Sequence, residues 1–155
     1  MKEGKGLVKE YFNGKLRFEG EYLNGKKWNG KEFNLNNEKV FEIENGNGKG
    51  KEYYDNGKLK FEGEYLNGER NGKGKEYYEN GNIKFEGEYL NGKRNGNGKK
   101  YYYNYNILFE GEYLNGKKWN GIGFNLYNEK VLEIINGNGK VKKYYDNGDL
   151  LFEGE

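Results

Sequence analysis

Glu62 and Glu64 stand two residues apart. On a strand that spacing puts both carboxylates on one face, about 6.8 Å apart along the backbone, within the range of glycosidase acid and base pairs. The same pair recurs as Glu19 and Glu21, Glu86 and Glu88, and Glu110 and Glu112. A catalytic site is not tiled along a molecule, so the pairs read as a solvated charged face, with Lys60 and Lys84 offsetting the like-charge repulsion. The chain has no His and no Cys, which removes Ser-His-Asp and Cys-His triads, the usual zinc sites, and disulfide or thiolate chemistry. Gly72-Lys73-Gly74 and Gly96-Asn97-Gly98 lack the strand-to-helix context of a phosphate loop. Asp55-Asn56-Gly57 and Asp146-Asn147-Gly148 resemble fragments of calcium loops, without the other ligands or the distal bidentate Glu. The expectation is therefore no enzyme, no metal and no cofactor.

Binding is the remaining chemistry. Trp28 and Trp119 are the only tryptophans, each in a KKWNG segment, and an indole beside lysines suits a protein hot spot or a stacked base; the alternative is a ring packed over its own hairpin. Arg70 and Arg94 fall in equivalent inter-strand turns and could hold a carboxylate or phosphate in a bidentate grip, or simply be solvated. Tyrosines come in adjacent pairs, Tyr53-Tyr54, Tyr77-Tyr78, Tyr101-Tyr102 and Tyr144-Tyr145. Neighbours on a strand point to opposite faces, so one of each pair faces outward. Tyr53, Tyr77, Tyr101 and Tyr144 are taken as candidate partner-binding residues, the alternative being that the second ring only covers a thin sheet.

The elements that position these residues follow from repetition. FEGEYLNG opens at Phe18, Phe61, Phe85 and Phe109, the last three starts 24 residues apart. A fixed period in this range announces a repeat array. Leu59, Phe61, Gly63 and Tyr65 share one strand face while Lys60, Glu62 and Glu64 share the other, and Asn-Gly dipeptides between such runs favour tight hairpin turns. Gly63, Gly87 and Gly111 lie in mid-strand, where glycine weakens a sheet, so aromatic rings are expected to pack against them, from the adjoining hairpin. The divergent stretches Lys26–Gly48 and Lys117–Gly139 match each other at an offset of 91, keep period-two alternation and lose the Glu-Gly-Glu centre, which leaves their stacking open. The expected fold is all-β: an elongated, single-layer antiparallel β-meander of tandem hairpin repeats, about fourteen strands and about 65 Å long. It forms one array over 1–155, with regular units at about 49–116 and divergent ones at about 26–48 and 117–139. The array starts in mid-unit and ends at Phe152–Glu155 on a strand edge, an expected site for dimer pairing.

The 24-residue hairpin with its aromatic-Glu-Gly-Glu-aromatic segment and NG turns resembles the MORN repeat, and YYENGNIKFEGEYLNGKRNG resembles its variant second type. The resemblance implies hairpins used for protein contact, dimerisation or lipid association, and the variant type occurs in bacterial antitoxin-like proteins. The functional expectation is a non-enzymatic protein-binding module, with an inhibitor of a bacterial effector as its finer form: a toxin or, for a phage gene, a CRISPR-type defence nuclease. RNA, anionic lipid or a glycan, and a structural scaffold or homodimer, are the alternatives. With 27 basic and 25 acidic residues the net charge is only +2, which weakens the case for nucleic acid. No apolar run of membrane-spanning length and no signal-type leader is present, so a soluble cytoplasmic protein is expected.

Overall fold

The structure is a computed structural model that describes residues 6–144 and 150–154, with side chains for residues 6–140. The first four strands are β1 (Gly6–Phe12), β2 (Lys15–Leu23), β3 (Lys26–Phe33) and β4 (Lys39–Glu44). The regular units supply β5 (Asn47–Tyr53), β6 (Leu59–Leu66), β7 (Glu69–Tyr77), β8 (Ile83–Leu90), β9 (Lys93–Tyr101) and β10 (Ile107–Leu114). The array closes with β11 (Lys117–Phe124), β12 (Lys130–Ile135), β13 (Asn138–Tyr144) and β14 (Leu150–Gly154). All fourteen form one sheet in chain order, each strand antiparallel to its neighbours, and no helix occurs among the described residues. This is the single-layer meander expected from the alternation.

Two kinds of turn set the register. Along one edge lie two-residue Asn-Gly turns; at Asn91-Gly92 both residues have positive φ, 49° and 78°, the backbone of a type I′ hairpin. Along the other edge run mostly five-residue loops, such as 78–82, closed by the Tyr78 amide donating to the Asn82 carbonyl at 2.8 Å. Between the edges the register brings glycines into a row across seven strands: Gly50, Gly63, Gly74, Gly87, Gly98, Gly111 and Gly121. Gly20 opposite Gly30 repeats the arrangement in β2 and β3.

The row exists because the core lies flat upon it. Phe18, Phe61, Phe85 and Phe109 are fully buried although there is no second layer. A Cβ on Gly63 or Gly74 would come within 2.7 or 2.6 Å of Phe61 Cζ, so only glycine admits the ring. The ring over each glycine pair thus comes from the same strand, two residues upstream, while the tyrosine of the adjoining hairpin closes its far side. Phe61 makes edge-to-face contacts with Tyr65 at 5.8 Å and Tyr89 at 5.3 Å, and Phe85 does so with Tyr89 at 5.7 Å and Tyr113 at 5.2 Å. In the divergent hairpins isoleucine ends the glycine row, Ile43 opposite Gly30 and Ile134 opposite Gly121, and Ile43 is itself buried. An aliphatic side chain there replaces the ring that a standard unit would lay across, so stacking continues.

Candidate functional site

Alternation gives the sheet two chemically different faces. On the aromatic face a repeated polar cluster roofs the phenylalanines. Arg70 lies 4.0 Å above the Phe61 ring and Arg94 4.2 Å above the Phe85 ring. Each arginine grips a carboxylate two strands back through Nε and Nη2: Arg70 to Glu52 at 2.8 and 2.6 Å, Arg94 to Glu76 at 3.0 and 2.8 Å. The tyrosine of the intervening strand donates its hydroxyl to the same carboxylate, Tyr65 to Glu52 at 2.8 Å and Tyr89 to Glu76 at 2.7 Å. Burial alone would raise both glutamates, but these donors outweigh it and hold Glu52 and Glu76 below the usual carboxylate range. Arg70 and Arg94 are therefore engaged within the chain, and they lie on β7 and β9 rather than in the turns, because the two-residue Asn-Gly turns end before them.

The opposite face is hollowed into an open groove of about 900 Å³ running from Phe41 on β4 to Ile122 on β11. Its floor is backbone at the glycine row, where any side chain would point to the aromatic face, and its sides are the alternating residues that flank each glycine. Its sides carry five glutamates and four lysines, so its charge nearly cancels. Pairs across the ladder hold these side chains upright: Lys75 to Glu86 at 3.5 Å and Lys99 to Glu110 at 3.3 Å. Tyr77 donates to Glu62 and Tyr101 to Glu86, both at 2.6 Å, and burial followed by those bonds pushes the Tyr101 hydroxyl up to about 12. The Glu62–Glu64 pair is thus part of a structural ladder: Glu62 is taken up by Tyr77, and Glu64 accepts the Lys73 amide at 3.1 Å.

The MORN repeat matches residues 61–83 and 85–107, and the MORN repeat variant matches 46–67 and 137–155, together just over half of the chain. This chain belongs to the MORN-repeat family. MORN repeats are binding modules for proteins or membrane lipids rather than an enzyme family. A comparison with curated proteins finds no match. Among the described residues of this MORN array no helix is long and apolar enough to cross a membrane, which leaves β-barrel spans unaddressed.

The remaining candidates fall at several places in the array. Trp28 and Trp119 sit over the turn glycines of the next hairpin, Gly46 and Gly137, and their carbonyls accept those glycines' amides at 2.7 and 2.8 Å. Trp119 is the more open, with 36% of its surface exposed. Tyr53 is half-buried beneath the Arg17 guanidinium, 3.6 Å from its ring centre. Tyr77 and Tyr101 do not line the groove but each bonds a glutamate that does, and the side chain of Tyr144, like Tyr145 and Asp146-Asn147-Gly148, lies outside the described residues. The second tyrosines stitch units together: Tyr54 donates to the Tyr77 carbonyl and Tyr78 to the Tyr101 carbonyl, both at 2.7 Å. The most open tyrosines are instead Tyr11 on β1 and the loop residues Tyr103, Tyr105 and Tyr127. Sequence reasoning passed over these, and also over Glu52 and Glu76; the recurrence of Glu directly before each tyrosine pair at 52 and 76, but Lys at 100, was the available signal.

Proposed function

We propose that this MORN array is a protein-binding module whose docking surface is the groove from β4 to β11. The observation that carries the reading is the translational repetition of that groove: the same Lys–Glu crosspiece recurs at Lys75–Glu86 and Lys99–Glu110, one unit apart. A ligand that meets the same contacts at each step is itself a polymer. Seven strand spacings make the groove about 34 Å along its arc, the length of about ten extended residues. Its near-balanced charge lacks the uncompensated cation row that a polyphosphate backbone or an anionic membrane recruits. A small-molecule site would be enclosed and unique rather than open and repeated.

The test uses the full chain as bait in lysate of its source cell, beside a variant carrying Glu62→Arg and Glu86→Arg. Recovery of a stoichiometric protein by the parent chain and its loss with the variant is the expected result. Sedimentation with phosphatidylserine vesicles at physiological salt, with no protein recovered, would replace a protein partner by a lipid one. The finer reading, an antagonist of a toxin or a CRISPR-type defence nuclease, draws its support from the antitoxin-like resemblance of the variant repeats. Co-expression with such an effector tests it, and growth no better than with the effector alone counts against it.

A further inference from the structure

On the aromatic face, each roofing cation is matched to carboxylates until the third regular position. Lys27 lies between Glu10 at 3.4 Å and Glu32 at 2.8 Å, and Arg70 between Glu52 at 2.6 Å and Glu76 at 3.9 Å. Arg94 has Glu76. Lys118 takes the same seat over Phe109, 4.5 Å from its ring centre. Yet the residue across the ladder from Phe109 on β9 is Lys100 where the preceding units have glutamate, and on β11 it is Gly123 where the first divergent hairpin has Glu32. Both carboxylates that would flank Lys118 are gone, and a second cation stands in the place of one of them. Among the described residues neither lysine makes an ion pair.

The tyrosine of this position reports the same vacancy independently. Tyr22, Tyr65 and Tyr89 each donate to a glutamate. Tyr113 is 97% buried by the same rings, and its hydroxyl has no partner. A buried hydroxyl left unpaired is costly, and two half-buried ammonium groups without a counterion add to that cost. Burial, Arg94 and Lys84 depress the Lys100 ammonium against a smaller opposing pull from Glu76, and burial followed by Lys100 depresses Lys118, as expected for cations held close together. We propose that Lys100 on β9, Tyr113 on β10 and Lys118 on β11 form a carboxylate-binding site for an acid the chain does not itself supply. Glu52 and Glu76 define the ligand: a carboxylate accepting one tyrosine hydroxyl and facing one roofing cation, with Lys100 supplying a further charge. A free small acid and an acidic side chain of another protein share this chemistry. The site is on the face opposite the groove and does not depend on what fills the groove.

The full chain is titrated with sodium acetate, standing for a free acid, and with N-acetylglutamate amide, standing for a side chain, while the Tyr113 ring and the Lys100 and Lys118 Cε resonances are followed by NMR. Sodium chloride and sodium phosphate at matched ionic strength are the controls. Saturable shifts with either carboxylate are expected, and the tighter of the two assigns the source. Lys100→Glu supplies the missing carboxylate internally and should raise the dissociation constant at least about tenfold, the scale of a lost charge-assisted bond. Tyr113→Phe should weaken binding about threefold without lowering the melting temperature of the unliganded protein, whereas Tyr89→Phe lowers it. Shifts no larger than those with chloride, a preference for phosphate, or an unchanged carboxylate response in Lys100→Glu would each overturn the assignment.

Discussion

Glu76 receives three donors from two strands: both arms of Arg94 on β9 and the Tyr89 hydroxyl on β8. Such a carboxylate is held ionised in the folded chain below its unfolded value of about 4.3. The unfolded state then binds protons first as the pH falls. The stability contributed by Glu52 and Glu76 is therefore present above that value and is lost progressively as the pH drops through their depressed folded values. Glu32 acts in the opposite sense: burial raises it more than Lys27 lowers it, so it takes up a proton more readily in the folded chain and offsets part of the acid loss. Replacing Glu76 by Gln should lower stability at pH 7 by about 1 to 3 kcal/mol, the range for a hydrogen bond to a charged group. The same replacement should flatten the fall in urea midpoint between pH 5 and pH 3, and a variant with the parental pH slope would contradict the assignment. The arginines were legible as bidentate anion grips, but not their anion. Arg94 and Glu76 are 18 residues apart and meet only because β8 places β7 and β9 two ladder steps from each other.

At the scale of the hairpin, turns are tied to one another as well as to their own strands. The Gly116 amide donates to the Arg94 carbonyl at 2.8 Å, one turn earlier in the array, and the Asn115 amide donates to the Asn95 side chain at 3.1 Å. The same relation joins Asn67 to Asn47 at 3.0 Å and Asn136 to Asn120 at 2.8 Å, so it survives into a divergent unit. Asparagine thus has two duties in each unit. In the Asn-Gly dipeptide it adopts positive φ, and three residues past the turn glycine, as in Asn71 and Asn95, its amide oxygen receives the next turn's backbone. The first duty is written in the dipeptide itself. The second has no local signature, because its partner lies 16 or 20 residues on and the contact exists only once units have stacked. Asn95→Ala should therefore leave the β8–β9 hairpin formed while loosening its neighbour. We expect a loss of about 0.5 to 1 kcal/mol and a two- to fivefold faster exchange of the Asn115 amide, with the Asn67 amide unchanged. Equal acceleration at both turns would mean that the effect is global rather than a contact between adjacent turns.

Among the described residues every strand pairs its backbone only with its chain neighbours, and side chains such as Arg94 on β9 and Lys26 on β3 reach further, to Glu76 and Glu69 on β7, so cohesion passes along one line of adjoining units. Stability in such an array is a sum of unit terms and interface terms. The 24-residue period made that architecture readable before any coordinates, since each Phe, Gly and Tyr recurs in register. The divergent stretches were harder to read: they lose the octet, and only the isoleucines Ile43 and Ile134, placed opposite the glycine row, carry the stacking through. These stretches also hold the two tryptophans, Trp28 on β3 and Trp119 on β11, one on each side of β8. They are built-in reporters of the two halves. Phe85 on β8 is fully buried and touches Tyr89, Tyr113 and Arg94, so it spans the interface between halves. Phe85→Ala removes about 3 to 5 kcal/mol from that interface, which in a linear array weakens coupling rather than either end. In the parent chain, single-tryptophan versions made with Trp28→Phe or Trp119→Phe should unfold in urea at one common midpoint. With Phe85→Ala added, the two midpoints should separate and each transition should broaden, its urea dependence falling because each half exposes less surface when it unfolds alone. One shared midpoint with an undiminished slope would instead mean that the bonds skipping β8, Arg94 to Glu76 and Tyr78 to the Tyr101 carbonyl, hold the halves together without the Phe85 ring, and would refute Phe85 as the joint between them.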